Sequence, residues 1–248
     1  MQSRSRSDVL LLVHYWFPAL TAWALTMAVA SDAGIAADHS GAGLAAAGTG
    51  AIYSLDRIDG SQPRWLTVVL AIAVVVGCGF CLALLLQADA RRWLVLLGVG
   101  ASGAAHRWLK RWVPKNVVVS LAWTAMVCEC AGLTSPHPLL LAALALQLWA
   151  ACLLCDVKDA DEDARLGIMT VASLIGDRGR IPAAAAALVL STILARLADC
   201  PLTALGSAGT AGLCLLPCIL ARPVLGPLLV DLALALPGLA AVSLSRVR

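Results

Sequence analysis

The sequence predicts an all-α fold, a polytopic bundle of transmembrane helices in which residues 1–248 form one membrane domain. Hydrophobic residues make up 60% of the chain, charged residues make up 13%, and the mean hydropathy is +0.87. These values lie far from the averages of soluble domains. Apolar segments long enough to cross a bilayer recur along the whole chain. Helices satisfy the backbone polar groups of such segments internally, so a polytopic helical membrane protein is expected.

About nine segments are predicted to cross the membrane, and their limits follow the apolar stretches in chain order. The second and the fourth are short or rich in glycine and alanine, and small residues let neighbouring helices approach closely. No convincing internal repeat is present. The predicted spans are 9–30, 41–55, 65–86, 93–105, 117–133, 138–154, 181–197, 202–220 and 224–242.

The first apolar segment imitates a signal peptide, because two arginines precede it and Ala28-Val29-Ala30 follows the pattern of a cleavage site. The segment 9–30 is nevertheless longer than a usual hydrophobic signal region, and it contains a His-Tyr-Trp run at 14–16. We therefore expect it to remain in the protein as the first transmembrane helix.

The basic residues predict the orientation. With the N-terminus in the cytoplasm, thirteen of the 18 Lys and Arg residues fall on the cytoplasmic side of the predicted spans and five on the other side. The positive-inside rule favours that arrangement. We expect an integral protein of the cell inner membrane, with the N-terminus and the acidic clusters described below on the cytoplasmic face.

Three aspartates, Asp156, Asp159 and Asp163, follow the apolar segment 138–155 and carry most of the functional information. Their i, i+3, i+7 spacing places three carboxylates on one face of a helix over about 10 Å. Like charges at the end of so apolar a segment repel one another and are costly near hydrocarbon. A cation is therefore expected among them. Mg²⁺ is the first candidate because it takes oxygen ligands and usually shares its shell with substrate phosphates.

A second acidic site, Asp56 and Asp59, lies at the cytoplasmic end of the second predicted span with i, i+3 spacing. Two acidic helix ends on the same side of the membrane can face each other and hold metal ions between them. The alternative is a solvated loop whose charges only set the topology.

A basic segment, residues 106–116, links the fourth and fifth predicted spans and contains Lys110, Arg111 and Lys115. Metal-bound aspartates together with Arg and Lys form the charge arrangement needed to hold a diphosphate and to take up its charge as it leaves. The alternative is an interfacial anchor, because basic loops with tryptophans are common at membrane surfaces.

These motifs resemble those of the UbiA superfamily of intramembrane prenyltransferases. The run D-V-K-D-A-D-E-D at 156–163, followed by Gly167, Thr170 and Gly176, is similar to the second signature of that family. The Lys110-Arg111 pair resembles its Lys-Arg element, and Asp56-Arg57 resembles the D-R of its first signature. The resemblance runs over most of the chain in the expected order.

The first signature departs from the family pattern at two positions. Ile52 stands where the family has asparagine, and Gly60 stands where it has its last aspartate. Asp59 comes one residue early, so either a local turn brings Asp59 into place or one metal ligand is missing. Gly60 would make such a turn easy.

The resemblance implies a nine-span UbiA-like fold and an enzyme of isoprenoid biosynthesis. The implied reaction is the Mg²⁺-dependent transfer of a prenyl group from a polyprenyl diphosphate to an aromatic or otherwise lipophilic acceptor. Membrane lipid surrounds the protein, and no nucleic acid is expected as a partner. The implied metal ligands are Asp56, Asp59, Asp156, Asp159 and Asp163. The implied diphosphate-binding residues are Arg57, Lys110, Arg111 and Lys115. The implied catalytic residues are Asp56, Asp156, Asp159 and Lys110.

Other functions remain open at the level of the sequence. A UbiA-type terpene cyclase uses the same metal and diphosphate machinery, so the motifs do not separate cyclisation from transfer. A transporter with acidic gates is less favoured, because transporters carry charged residues near the midplane and often show internal pseudo-symmetry. A catalytically inactive scaffold is the remaining alternative.

Overall fold

The computed structural model describes residues 2–36, 39–56, 58, 64–109, 112–156, 163, 167–222 and 224–245; within these ranges the side chains of 2–15, 56, 104, 106–109, 172, 177, 244 and 245 are excluded. The described chain is helical and contains no strand. The helices are α1 (Gln2–Asp32), α2 (His39–Asp56), α3 (Arg64–Leu85), α4 (Ala90–Leu109), α5 (Lys115–Cys130), α6 (Pro138–Cys155), α7 (Val171–Leu197), α8 (Pro201–Leu213), α9 (Pro217–Leu220) and α10 (Leu225–Ser245).

Within the described residues, four helical segments are long and apolar enough to cross a membrane. They are Arg64–Leu85, Pro138–Cys155, Arg178–Leu197 and Leu225–Ser243. The predicted all-α fold class is confirmed, and these helices make the chain an integral membrane protein. The number of nine spans stays a prediction.

The eighth predicted span, 202–220, is wrong as a single helix. Helix α8 ends at Leu213, and α9 occupies only Pro217–Leu220. The cause is Pro217, which has no backbone N–H and disfavours helical geometry in the residue before it. At 1.5 Å per residue, the 13 residues of α8 extend about 20 Å, less than the roughly 30 Å of a hydrocarbon core.

Helix α7 starts ten residues before the predicted span 181–197 and contains a break. Thr170 caps its first turn by accepting a hydrogen bond from the Ser173 N–H, and the Ser173 hydroxyl oxygen accepts one from the Thr170 N–H. Gly176 then interrupts the helix with φ 71° and ψ 166°, a conformation that favours glycine. The apolar segment Arg178–Leu197 is therefore separated from the start of α7 by a kink at Gly176.

The helices contact one another in a closed circuit of seven. In order around the circuit they are α1, α2, α5, α6, α7, α8 and α10, with α10 packed on α1. Helix α3 packs on α2 and helix α4 on α5. One apolar cluster joins α1, α2, α5 and α6 with the α7–α8 connection, and a second joins the C-terminal half of α6 with α7, α9 and α10.

Helix α3 presents its apolar side chains outward. Val68, Ile72, Val75 and Val76 are more than half exposed. In a membrane protein such a face lies against lipid. Helix α3 is therefore at the outside of the bundle, away from the polar groups described next.

Candidate functional site

A buried asparagine joins three segments at one end of the bundle. Asn116, in the first turn of α5, has no exposed surface. Its Nδ2 donates to Oδ2 of Asp156 at 2.6 Å, and its Oδ1 accepts from the Val171 N–H at 3.1 Å. The start of α5, the end of α6 and the start of α7 are thus linked by a single side chain.

The neighbouring Lys115 brings a positive charge to the same place. Its Nζ lies 3.0 Å from Oδ2 of Asp163 and 3.6 Å from Oδ1 of Asp156. Its backbone N–H donates to the Met169 carbonyl at 3.0 Å. Asp156 and Asp163 are only 5% and 6% exposed, and the Lys115 side chain is 18% exposed. Two buried carboxylates therefore lie around one ammonium group.

Local sequence explains why these residues meet. Pro114 immediately precedes α5 in an extended conformation, with φ −51° and ψ 126°, so Lys115 and Asn116 are the first helical residues. Asp156 is the C-cap residue of α6. Gly167 adopts φ 65°, a left-handed conformation suited to glycine, before the cap of α7. Gly167 and the Thr170 cap thus shape the chain that leads into α7, where Val171 meets Asn116.

The predicted site residues divide into three groups. Asp156, Asp163 and Lys115 are brought together as described above. Asp56 is the last residue of α2, but its side chain lies outside the described residues. The residues that lie entirely outside the described chain are Arg57, Asp59, Lys110, Arg111 and Asp159.

The placement of Asp156, Asp159 and Asp163 on one helix face stays a prediction, because Asp159 lies outside the described residues. Helix α6 ends at Cys155, and Asp156 follows as its C-cap. Because Asp156 and Asp163 both lie within 4 Å of one nitrogen atom, their carboxylates are held together by the fold around Lys115.

The register of α2 against α5 places the Asp56 end of α2 at the same end of the bundle as the buried carboxylate pair. Thr49 Oγ1 donates to Met126 Sδ at 3.6 Å, and the Tyr53 ring lies edge-on to Trp123 with centroids 6.5 Å apart. As α2 advances by four residues, its contacts on α5 move back by three, so the two helices are antiparallel. Asp56 therefore ends α2 on the side where α5 begins, which is the side of the buried carboxylate pair.

The sequence motifs do not predict that Asn116 links Asp156 to the start of α7. The only signal for it is a polar amide directly after Pro114 and Lys115, at the start of an apolar helix. Its two partners lie 40 and 55 residues away along the chain. Contacts of that separation depend on helix packing and have no local pattern.

The carboxylate pair has the donor chemistry that a hard divalent cation needs. Among the residues described, no group of three or more His, Cys, Asp or Glu side chains is placed to hold a metal ion. Asp156 and Asp163 nevertheless offer carboxylate oxygens, the ligands that Mg²⁺ takes, usually from one or two carboxylates. The Lys115 ammonium marks a position between them where positive charge is favourable. The residues present therefore fit a magnesium ion.

The fold is similar to that of a solved structure, the apo structure of a UbiA homolog from Aeropyrum pernix K1. The match has a TM-score of 0.65 and 16% sequence identity, and it covers 92% of this chain and 98% of that chain. At this level of identity the likeness establishes the fold, so the predicted UbiA-like helical bundle is confirmed. No model of a known protein family matches the chain, and no curated protein sequence matches it.

Proposed function

We propose that this protein transfers a prenyl group from a polyprenyl diphosphate to a lipophilic or aromatic acceptor within the membrane, with Mg²⁺ as its cofactor. The observation that carries the proposal is the buried pair of Asp156 and Asp163 around the Lys115 ammonium, at one end of an apolar bundle. The UbiA-like fold and the UbiA-like order of the motifs support it.

The acidic residues would hold the cofactor. Asp156 and Asp163 supply carboxylates from the described chain, and Asp56, Asp59 and Asp159 are proposed to complete the set. Bound Mg²⁺ would supply Lewis-acid neutralisation of the diphosphate oxygens, which makes diphosphate a better leaving group. Asn116 orients Asp156 for this role by fixing one of its oxygens.

The basic residues would take up the charge that develops on the leaving group. As the allylic carbon–oxygen bond breaks, its electron pair leaves with the diphosphate. Arg57, Lys110 and Arg111 are proposed to neutralise that charge through charge-assisted hydrogen bonds. The acceptor then forms a bond to the allylic carbon and loses a proton.

The apolar interior would protect the reactive carbon from water. Trp123 lies seven residues beyond Asn116 on α5, which is about 10 Å deeper into the bundle. It is partly buried and packs edge-on against Tyr53. Aromatic faces stabilise cations, and apolar surroundings keep water away, so this pair is proposed to flank the allylic cation.

The experiment that tests the proposal measures diphosphate release by the purified protein in detergent. Geranylgeranyl diphosphate is supplied with Mg²⁺ and a panel of aromatic and lipid acceptors, and prenylated products are identified by mass spectrometry. We expect Mg²⁺-dependent release by the wild type, loss in Asp156→Asn, and retention in the matched variant Asp199→Asn. Asp199 is exposed and lies between α7 and α8, at the opposite end of the bundle.

Two outcomes would contradict the proposal. Release of a hydrocarbon or a terpene alcohol without any acceptor would identify a cyclase. An absence of diphosphate release with every prenyl diphosphate and acceptor would contradict an enzyme of either kind.

A further inference from the structure

We propose that the Lys115 ammonium is an exchangeable counter-ion of the Asp156–Asp163 pair, which holds the two carboxylates together without a divalent cation and is displaced when that cation binds. Lys115 would thereby set the metal affinity of the site. The inference rests on the proposed function only in taking Mg²⁺ as the cation. Its observable is metal affinity, which is measured without turnover.

The buried carboxylates of Asp156 and Asp163 need a positive charge between them. Asp156 and Asp163 are both more than nine-tenths buried, and each lies within 4 Å of the same nitrogen atom. Two ionised carboxylates this close repel each other, and burial raises the cost further. The Lys115 ammonium compensates both charges at once, so it stabilises the metal-free arrangement.

The Lys115 ammonium and a Mg²⁺ ion would compete for the same carboxylate oxygens. Oδ2 of Asp156 is engaged by Asn116 at 2.6 Å, so Oδ1 is the oxygen that faces Asp163 across Lys115. A Mg²⁺ ion held by Asp156 and Asp163 would need carboxylate oxygens of this pair as its ligands. The ammonium group already contacts Oδ1 of Asp156 and Oδ2 of Asp163. The two cations therefore exclude each other from the position between them.

The Lys115 ammonium can move away from the carboxylates without a rearrangement of the backbone. The Lys115 N–H is fixed to the Met169 carbonyl, and the next residue, Asn116, is fully buried between its two partners. The lysine side chain is a flexible four-carbon stem with a strongly hydrated head, and it is 18% exposed. Rotation of the stem moves the charge toward solvent while the carboxylates stay in place.

A displaced Lys115 would then have a second task. A diphosphate that arrives with the metal brings negative charge to the same end of the bundle. The released ammonium is within one side-chain length of the metal site and is able to pair with that charge. Lys115 would thus serve as a counter-ion of the aspartates in one state and of the substrate in the other.

The test measures Mn²⁺ affinity, with Mn²⁺ as the paramagnetic substitute for Mg²⁺, by electron paramagnetic resonance on the purified protein without any prenyl diphosphate. Lys115→Met removes the ammonium and keeps an unbranched apolar stem one atom shorter, so we expect Mn²⁺ to bind at least about tenfold more tightly than to the wild type. Lys115→Arg keeps the charge and can hold both carboxylates with a fork, so we expect weaker binding. Arg178→Met, an exposed cation near the start of α7, should leave the affinity unchanged.

Thermal unfolding supplies the second readout. Without divalent cations Lys115→Met should unfold at a lower temperature than the wild type, and Mn²⁺ should raise its unfolding temperature more than it raises that of the wild type. Equal or weaker Mn²⁺ binding by Lys115→Met overturns the inference while leaving the proposed function intact. If Lys115→Met does not fold, unchanged or tighter binding by Lys115→Arg overturns it. An absence of Mn²⁺ binding by the wild type overturns both the inference and the metal dependence of the proposed function.

Discussion

The amide of Asn116 donates to the carboxylate of Asp156 at 2.6 Å, in a place where neither residue is more than 5% exposed. The orientation of this amide is determined by its other partner, because only the oxygen Oδ1 can accept from the Val171 N–H. Asn116 therefore presents a donor to Asp156 and an acceptor to α7. Neither an ionised carboxylate nor an apolar side chain can provide both.

The first prediction concerns the charge at position 116. Asn116→Asp would place a second carboxylate against Asp156, with no donor between them and little water to screen the repulsion. We expect a lower unfolding temperature and a loss of at least about tenfold in Mg²⁺-dependent affinity for a prenyl diphosphate. Scanning fluorimetry of the intrinsic tryptophans and a filter-binding assay measure the two effects.

Ser120→Ala is the matched control for Asn116→Asp. Ser120 lies one turn deeper on α5, is also buried, and donates only to the Val117 carbonyl of its own helix. Both its unfolding temperature and its affinity should stay close to those of the wild type. An Asn116→Asp protein with the stability and the affinity of the wild type would rule out the positioning role of Asn116.

The second prediction concerns the close approach of α1 and α10. A Cβ atom added at Gly238 would overlap the backbone carbonyl of Ala24, which belongs to the neighbouring helix and cannot rotate away. Gly238→Ala should therefore destabilise the protein by about 1–3 kcal/mol, the usual cost of overpacking. The comparison is Gly209→Ala, because a Cβ there meets no atom within 4 Å. Equal unfolding temperatures for the two variants would contradict the tight α1–α10 contact.

The third prediction concerns an ion pair at the end of the bundle opposite the candidate site. Arg91 Nη2 lies 3.2 Å from Oε2 of Glu129 and also donates to the Leu133 carbonyl at 3.1 Å. The Glu129 side chain is 9% exposed and that of Arg91 is 48% exposed. Because solvent screens the pair, Arg91→Ala should lower the free energy of unfolding by about 1 kcal/mol.

Glu129→Gln should partly restore the stability that Arg91→Ala removes, because the double variant no longer buries an uncompensated carboxylate. Arg92→Ala is the control, since it removes an adjacent cation that belongs to the same turn. Additive changes in unfolding temperature across the double-mutant cycle would show that the pair contributes nothing.

The fourth prediction is a pH dependence at the α1–α8 contact. Asp32, beyond the first predicted span, accepts hydrogen bonds from the N–H groups of Leu202 and Thr203 and from the Thr203 hydroxyl. Burial raises the pKa of Asp32 above its ordinary value of 3.8, although these hydrogen bonds act to lower the pKa. The folded state thus binds the proton more tightly than the unfolded chain does.

The stabilisation from Asp32 is consequently fully present below pH 3.8 and is lost as the pH rises through the higher folded-state pKa. The difference in unfolding temperature between the wild type and Asp32→Ala should be larger at acidic pH than at neutral pH. Asp199→Ala is the control, because Asp199 is an exposed acidic residue in the α7–α8 connection, close in sequence to Leu202 and Thr203. A difference that grows toward neutral pH would show that the hydrogen bonds outweigh the burial of the charge.

Patterns within short stretches of the chain predicted the fold well. The apolar segments locate the helices because lipid leaves no other way to satisfy the backbone. Pro217 is also a local signal, because a proline disfavours helical geometry in the residue before it and so interrupts the predicted span 202–220. The roles of Gly167, Thr170 and Gly176 are local too, since each acts on its own turn or cap.

Contacts between distant parts of the chain were not predictable in the same way. Asn116 reaches Asp156 over 40 residues, Arg91 reaches Glu129 over 38, and Asp32 reaches Thr203 over 171. Each depends on which helices pack together and on how they are rotated, and a single sequence does not contain that information. The motif therefore predicts Asp156 and Asp163 as candidate site residues. Asn116, which orients Asp156, is recognised only from the folded structure.

The most direct measurement is the equilibrium binding of geranylgeranyl diphosphate to the purified protein in nanodiscs, with Mg²⁺ and then with excess EDTA. We expect the wild type and Asp199→Asn to bind only with Mg²⁺, and Asp156→Asn to lose at least about tenfold in affinity. Binding that persists in EDTA, or that is unchanged by Asp156→Asn, would contradict a magnesium-dependent diphosphate site at the buried carboxylates.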